Sequence, residues 1–286
     1  KDYRIRLGSD GVKRKEFVPR TDSEAVTPPS MSQWLEFPIK DKKSWEKFKE
    51  RLNPHSPARY PLNWEDLKRM WRDRDYPLFL AGPSFYGWIR NWVGMENLAL
   101  MFYDNPSLIH EMMNYLAYFY IEIVRKAVQE VEIDCVCCWE DMAYKSGPLV
   151  SPSFVRKHAV PCYKKVVELL RSKGIDIITL DSDGNLWELI PIWLDCGING
   201  VLTNEVAAGM DIVKMRKEFG KNLIIAGGID KRVLSRGKKD IEKEVMSRVP
   251  YLLSTSGYFP CIDHSVPPDV PFDNYSYYLE LIRKLA

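Results

Sequence analysis

Two carboxylates follow an apolar run near the middle of the chain. Residues 177–180 are apolar or β-branched, and Asp181, Ser182 and Asp183 come directly after them, before a Gly-Asn turn. Because side chains alternate along a strand, Asp181 and Asp183 are expected to project to the same side, about 6–7 Å apart. Two such carboxylates repel each other unless a cation, a proton or a cationic substrate lies between them. The spacing predicts one corner of an active site; the alternative is a solvated acidic turn.

Carboxylates also follow most of the other predicted strands. In a parallel barrel the catalytic groups lie at the C-terminal ends of the strands, so these acids are expected to gather at one mouth. Acidity there indicates a metal ion or a cationic intermediate. The alternative is that some of the acids cap the helices that follow, as Asp211 and Asp230 are placed to do. The acids after the strands are Glu140, Asp141, Asp181, Asp183, Glu205, Asp230 and Asp263.

His264 is the one histidine of four that lies in a polar group after a predicted strand. A histidine beside an aspartate is able to act as a base, or as a metal ligand that its neighbour orients. We therefore predict a functional role for His264 and structural roles for the other three.

Aromatic side chains lie at or near the same strand ends. Phe85, Tyr86, Trp139 and Tyr144 are placed to form the wall of an apolar pocket for a flat ligand. The alternative is that they belong to the core, as most of the aromatic residues must.

The elements that would position these groups alternate along the chain from residue 77 onward. Amphipathic stretches predict helices over 96–103, 106–131, 153–172, 210–219, 239–253 and 274–285. Strands that alternate with helices predict a parallel sheet, either doubly wound or closed as a barrel. No GxGxxG or P-loop motif follows any strand, which argues against the common nucleotide-binding folds. The predicted strands lie at 77–81, 134–139, 175–180, 198–202, 223–226 and 258–261.

The first quarter of the chain lacks a strongly buried strand. Residues 3–18 predict a hairpin, 19–33 predict a loop, and Asp41 and Asn63 each predict the start of a short helix. Six strands are two fewer than a (β/α)8 barrel requires. The other two come either from the hairpin region or, as we favour, from sequence upstream of Lys1. We predict a single domain over 1–286, with an excursion at 1–76 and the barrel at 77–286.

Length and composition exclude several classes of protein. The chain of 286 residues is long enough for one barrel, and its 41 basic and 39 acidic residues give no bulk field that would attract nucleic acid or a membrane surface. Its apolar runs are strand-sized, so none is expected to span a bilayer. Six cysteines without a CxxC pair are expected to be reduced, which favours a cytoplasmic protein.

Several motifs resemble those of the uroporphyrinogen decarboxylase superfamily. This superfamily includes uroporphyrinogen decarboxylases, methylcobamide methyltransferases, O-demethylase methyltransferases and, more remotely, cobalamin-independent methionine synthase. The resemblance implies a (β/α)8 TIM barrel that acts as an enzyme and, as is common among its members, a homodimer. The motifs are Trp139-Glu140-Asp141-Met142-Ala143-Tyr144-Lys145, residues 151–161, Gly227-Gly228-Ile229-Asp230-Lys231, and Gly257-Tyr258-Phe259-Pro260 with His264 and Asn274.

The resemblance also implies roles for single residues. Methyltransferases of the superfamily hold zinc with a His-x-Cys pair and a later Cys, and methionine synthase adds a Glu. By position, Asp181 and Asp183, Glu205 and His264 would take these places, so the ligands change from soft to hard. Zinc accepts such ligands, and so do manganese, iron and magnesium. The remaining predicted site residues are Glu140 and Asp141, with Asp183 and His264, for catalysis, and Phe85, Tyr86, Trp139, Tyr144, Asp230 and Lys231 for substrate binding.

Three functions compete. The favoured one is an enzyme that moves a methyl group between an O- or N-methyl substrate and a corrinoid carried by a partner protein. The second is a decarboxylase of a tetrapyrrole or simpler cyclic acid, which the acidic mouth disfavours because a polyanionic porphyrinogen requires Arg and Lys. The arginines with which decarboxylases of the superfamily bind propionates would precede Lys1. The third is a corrinoid-binding subunit that has no chemistry of its own.

Overall fold

The computed structural model describes residues 3–18 and 31–285. Its strands are β1 (Tyr3–Leu7), β2 (Lys13–Phe17), β3 (Gln33–Glu36), β4 (Phe79–Ala81), β5 (Cys135–Trp139), β6 (Ala143–Tyr144), β7 (Gly147–Pro148), β8 (Ile177–Asp181), β9 (Gly200–Leu202), β10 (Ile224–Ala226) and β11 (Tyr258–Phe259). Its α-helices are α1 (Lys42–Lys49), α2 (Trp64–Arg72), α3 (Gly87–Val93), α4 (Met95–Asp104), α5 (Pro106–Glu130), α6 (Pro152–Phe154), α7 (Val160–Arg171), α8 (Ile190–Asp195), α9 (Ile212–Phe219), α10 (Lys238–Ser254) and α11 (Phe272–Leu285). Short 3-10 turns cover Glu50–Leu52, Pro57–Arg59, Val206–Ala208, Gly220–Asn222 and Lys231–Ser235.

Six parallel strands form the central sheet, in the order β4, β5, β8, β9, β10 and β11. They are the six predicted strands, and they pair in chain order with helices between them, as in the TIM barrel of the predicted family. Val136, Ile178, Leu180, Val201 and Ile225 of these strands are buried, as expected of a parallel sheet covered by helices. β4 and β11 form the two edges of the sheet within the described residues.

The predicted hairpin is present, but it lies in a different sheet. β1, β2 and β3 pair antiparallel with one another, and none of them joins the six-stranded sheet. This excludes the hairpin as the source of the two further barrel strands. The predicted loop at 19–33 lies mostly outside the described residues, and its last residue, Gln33, begins β3 instead.

Local signals set several helix starts. Asp41 and Ser44 form a capping box at α1, and the Asn105 side chain accepts from the Leu108 amide at α5. Asn63 precedes α2 as predicted, but its side chain makes no capping hydrogen bond. The helix predicted over 153–172 is α6 and α7 joined by a π-helical turn at Val155–Ala159. None of the helices within 3–18 and 31–285 has the length and apolar character that crossing a membrane requires.

Candidate active site

The C-terminal ends of five parallel strands bring together a group that we call the acidic cluster. His264 Nε2 lies 3.5 Å from Asp183 Oδ2, and Lys231 Nζ lies 3.3 Å from Glu205 Oε1. Two backbone amides after β8 also donate to carboxylates that follow neighbouring strands. The Gly184 amide donates to Glu205 Oε2 at 3.0 Å, and the Asp183 amide donates to Asp141 Oδ1 at 3.4 Å. The acidic cluster is Asp141, Asp181, Asp183, Glu205, Lys231 and His264.

The turn before Glu205 has an uncommon backbone. Thr203 and Asn204 have φ angles of 71° and 54°, in the left-handed region that residues other than glycine rarely adopt. The buried Asn204 amide donates to the Ala226 carbonyl at 2.8 Å, which ties the turn to the next strand. A Cβ at Gly227 would lie 2.2 Å from the Thr203 carbonyl oxygen, so only glycine fits there. The turns that precede Glu205 and Lys231 therefore approach each other closely.

Burial, together with repulsion between neighbouring carboxylates, raises the pKa of two carboxyl groups in the cluster. Burial raises the pKa of Asp181 to about 6, and the charges of Asp141 and Asp183 add to the shift while His264 opposes it. Burial and the charges of Asp141 and Glu205 also raise the pKa of Asp183, against the opposing effect of His264 and Lys231. A carboxyl group with a pKa of about 6 exchanges its proton readily near neutral pH, which suits a general acid or base.

This shift predicts a pH dependence of stability. The folded pKa of Asp181, about 6, exceeds the ordinary value of 3.8, so between these pH values the folded protein binds more protons than the unfolded chain. The contribution of this group to the free energy of unfolding is therefore full below pH 3.8 and is lost as the pH rises through 6. We expect Asp181→Asn to have a higher free energy of unfolding than the wild type, and the difference should be larger at pH 7.5 than at pH 4.5. The measurement is urea unfolding at both pH values.

The control for this comparison is Asp176→Asn. Asp176 precedes the other end of β8, and its side chain is 80% exposed beside Arg171. For the control, the difference in free energy of unfolding between variant and wild type should be the same at both pH values. The same result for Asp181→Asn would contradict the raised pKa of Asp181.

The predicted metal ligands do not converge on a single ion. Glu205 is already paired with the ammonium group of Lys231. Among residues 3–18 and 31–285, no three His, Cys, Asp or Glu side chains are close enough together to hold a metal. The donors are mostly hard oxygens, and as they are arranged they do not fit the ligand set predicted from Asp181, Asp183, Glu205 and His264. We therefore derive no chemical step through a metal.

Glu140 lies outside the acidic cluster, although the sequence predicts it in the site. Its carboxylate is fully buried, and it accepts hydrogen bonds from three consecutive amides at the start of α3, each at 2.7 Å. Burial raises the pKa of this carboxyl group, while the hydrogen bonds oppose the shift. Glu140 therefore fixes the start of α3 to the end of β5, and its predicted catalytic role stays a prediction. The donors are Phe85, Tyr86 and Gly87 through their amides and Ser84 and Tyr163 through their hydroxyls.

Three of the residues predicted to bind substrate are also held by contacts within the protein. Phe85 and Tyr86 are buried, and the Phe85 ring packs edge-on against Tyr163 at 4.6 Å between centroids. Asp230 caps the turn at Lys231–Ser235 and forms a two-point ion pair with Arg232. These three side chains are therefore occupied in packing and capping, and their predicted contact with substrate stays a prediction.

The other aromatic side chains have less buried positions. Trp139 pairs in register with Asp181, so the two side chains leave the sheet next to each other. Tyr144 is 58% exposed on the short strand β6. Both remain available to contact a ligand beside the acidic cluster.

Sequence reasoning missed Arg90. Its guanidinium group lies 5.4 Å from the Trp139 ring centroid, donates to the Asp141 carbonyl and has Nη2 3.8 Å from Asp141 Oδ2. No local pattern identifies this arginine, because it reaches the cluster only through the placement of α3 that Glu140 fixes.

The fold and the position of the cluster define the class of protein. A parallel sheet with titratable side chains at the C-terminal strand ends is the arrangement of a barrel enzyme. A family model described as uroporphyrinogen decarboxylase (URO-D) matches residues 90–285, and the chain belongs to this family of enzymes. The resemblance predicted from the sequence motifs is thereby confirmed.

Individual relatives are distant. The uroporphyrinogen decarboxylase of Microcystis aeruginosa is 23% identical over 189 residues, which are 65% of this chain and 51% of the relative. That of Thermus thermophilus is 25% identical over 267 residues, 87% of this chain and 71% of the relative. The chain thus spans only about half the length of some of the curated relatives that it matches.

A solved structure confirms the fold. A methyltransferase from Methanosarcina mazei superposes with a TM-score of 0.60 at 15% identity, covering 89% of this chain and 72% of that chain. At this identity the likeness concerns the fold alone, and it agrees with the predicted barrel-type α/β architecture.

Proposed function

We propose that this chain catalyses corrinoid-linked methyl transfer, removing the methyl group of an O- or N-methyl substrate and passing it to a corrinoid on a partner protein. The observation that supports the proposal is the raised pKa of Asp181, about 6, which lets this carboxyl group hold a transferable proton beside Asp141 and Asp183. Demethylation requires such a proton, because the heteroatom that loses the methyl group must be protonated when it leaves.

The proposed reaction is a methyl transfer assisted by a general acid. The bond between the heteroatom and the methyl carbon breaks, the heteroatom keeps the electron pair, and the methyl group passes as a formal cation to the reduced corrinoid. Protonated Asp181 donates its proton to the heteroatom. The Asp183–His264 pair, at 3.5 Å, is placed to return a proton to Asp181 for the next turnover. Trp139 and Tyr144 would contact the body of the substrate.

The charge of the cluster favours methyl transfer over decarboxylation. Four carboxylates face two basic side chains in the acidic cluster, and one of these, Lys231, is already paired with Glu205. A porphyrinogen with several carboxylates would be repelled there, whereas a neutral or cationic methylated compound would not. The names of the curated relatives favour the second candidate, a tetrapyrrole-type decarboxylase.

One experiment separates the candidates. The purified protein is incubated with cob(I)alamin and a panel of methoxyaromatic and N-methylated compounds, and the cobalamin absorbance spectrum is followed. We expect the spectrum to change to that of methylcobalamin with at least one methyl donor, and we expect no release of carbon dioxide from uroporphyrinogen. Decarboxylated porphyrinogen without methylcobalamin would favour the second candidate. The absence of both products would favour the third candidate, the non-catalytic subunit.

The predicted divalent metal is tested separately. Purified protein is extracted with acid and assayed for zinc, manganese, iron and magnesium. A stoichiometric ion would support the predicted metal, whereas no stoichiometric ion, before or after reconstitution, would contradict the prediction.

A further inference from the structure

We propose that Arg90 is a positioning residue of the acidic cluster, and that it holds the turn at Asp141 and the Trp139 ring in place beside the end of β8. No sequence motif assigns a role to this arginine. The inference rests on the proposed function, in which Trp139 contacts the substrate and Asp181, its neighbour in the sheet, donates the proton.

The guanidinium group of Arg90 contacts the last residue of β5 and the turn that follows it. It donates to the Asp141 carbonyl, and its Nη2 lies 3.8 Å from Asp141 Oδ2. Its central carbon lies 5.4 Å from the Trp139 ring centroid, and the side chain is only 15% exposed. One planar group thus contacts a backbone carbonyl, a carboxylate and an indole ring, which the single ammonium group of a lysine is not shaped to do.

The turn at Asp141 needs an external anchor. Asp141 has a φ angle of 43°, in the left-handed region that residues other than glycine rarely adopt. Such a backbone conformation persists only where the surroundings hold it. Because Arg90 contacts both the carbonyl and the carboxylate of Asp141, it is placed to hold this residue through its backbone and its side chain at once.

The close packing of α3 on β5 places Arg90 at this turn. A Cβ at Gly87 would lie 2.8 Å from the Glu140 carbonyl oxygen and 2.8 Å from the Trp139 ring, so the helix approaches the strand as closely as glycine allows. The Glu140 carboxylate accepts from the Gly87 amide at 2.7 Å. Arg90 follows three residues later, which places it on the same side of the helix as Gly87. Glu140 therefore anchors α3 to β5, and Arg90 adds a contact from α3 to the residue after Glu140.

The turn that Arg90 contacts also meets the end of β8. The Asp183 amide donates to Asp141 Oδ1 at 3.4 Å. One residue further along the turn, the Met142 amide donates to the Ser182 hydroxyl at 3.1 Å. Without Arg90, the left-handed turn loses an anchor, and the Asp141 carboxylate loses the guanidinium group that offsets its repulsion from Asp183. Both effects act in one direction, which is to move Asp141 away from the end of β8.

The test compares two variants of Arg90 with a matched control. Arg90→Met removes the guanidinium group and keeps a long apolar side chain, and Arg90→Lys keeps the charge without the planar fork. The control is Arg74→Met, at the opposite end of β5. The Arg74 side chain is 8% exposed, donates to two backbone carbonyls and pairs with Asp134 at 2.7 Å. Its contacts are thus of the same kind as those of Arg90, but they lie far from the acidic cluster.

The main readout is hydrogen exchange of backbone amides followed by NMR, which requires no substrate. We expect the Asp183 and Met142 amides to exchange about 10-fold faster in Arg90→Met than in the wild type, as expected when a hydrogen bond from a charged group no longer holds the turn. Arg90→Lys should give a smaller increase. Arg74→Met should leave the exchange of both amides unchanged.

Two outcomes would overturn the proposal. One is unchanged exchange of the Asp183 and Met142 amides in Arg90→Met. The other is an equal acceleration in Arg74→Met, because both variants lose general stability but only one of them loses the anchor of this turn. If Arg90→Met does not fold, Arg90→Lys decides alone, and unchanged exchange in that variant contradicts the role of Arg90.

A second readout separates this inference from the proposed function. If methyl transfer is observed in the wild type, Arg90→Met should lower kcat about 10- to 100-fold, as expected for a small displacement of reacting groups. Arg74→Met should keep the kcat of the wild type. If no methyl transfer is observed, the exchange rates still decide the role of Arg90.

Discussion

Replacement of Glu140 by alanine is expected to lower the free energy of unfolding by about 3–5 kcal/mol, close to the largest effect that a single substitution usually has. The substitution leaves three amides at or just before the start of α3, and two hydroxyls, without their buried acceptor. Each unsatisfied buried donor costs about 1–3 kcal/mol, although partial relaxation keeps the total below their sum. The measurement is urea unfolding, in which the midpoint should fall while the slope is unchanged.

Two further variants make this prediction specific. Glu140→Gln keeps the shape but directs an amide N–H₂ towards one of the donors, so an intermediate loss is expected. Glu218→Ala on α9 replaces an exposed glutamate and should change stability by no more than about 0.5 kcal/mol. If Glu140→Ala were as stable as Glu218→Ala, Glu140 would not be the anchor of α3.

Replacement of Asp181 by asparagine is expected to reduce methyl transfer by about 10²–10⁴-fold, the usual contribution of a positioned general acid. Asparagine has a similar shape and relieves repulsion from Asp141 and Asp183, so the fold should persist. In the wild type the rate should decline as the pH rises above about 6, where Asp181 loses its proton. The measurement is the pH–rate profile, in which the variant should lack this decline.

The control is again Asp176→Asn at the opposite end of β8, which should keep both the rate and the profile of the wild type. An Asp181→Asn variant with wild-type activity would remove Asp181 as the acid. Residual activity with an unchanged pH profile would assign the titrating group to another member of the acidic cluster.

Much of the fold is predictable because its signals are local. The runs around β5 and β8 are apolar over a strand length, and Asp41 and Asn105 satisfy helix amides within three residues of themselves. Periodicity alone leaves the choice between a doubly wound sheet and a barrel open, and the family resemblance favours the barrel. The separate sheet of β1 to β3 was not predictable, because strand pairing depends on partners rather than on composition.

The grouping of the acidic cluster is partly predictable for a similar reason. Parallel strands end at the same edge of the sheet, so the sequence places Asp181, Asp183, Glu205 and His264 at one mouth. The sequence does not decide where a side chain points once the strand has ended, because alternation no longer applies there. Glu140 follows β5 directly, yet it turns to amides 53 to 55 residues earlier in the chain.

The sequence by itself determines the six strands of the central sheet, most of the helices, their order and the set of acids at the strand ends, because each depends on periodicity or on neighbours in the chain. Only the tertiary structure decides that Lys231 pairs with Glu205, that Arg90 reaches Asp141, and that Asp263 joins two distant turns. Hydrogen bonds and charges act through space over a few ångströms. Their partners here are separated by 26 to 57 residues, so the pairing is fixed only when the sheet has brought the turns together.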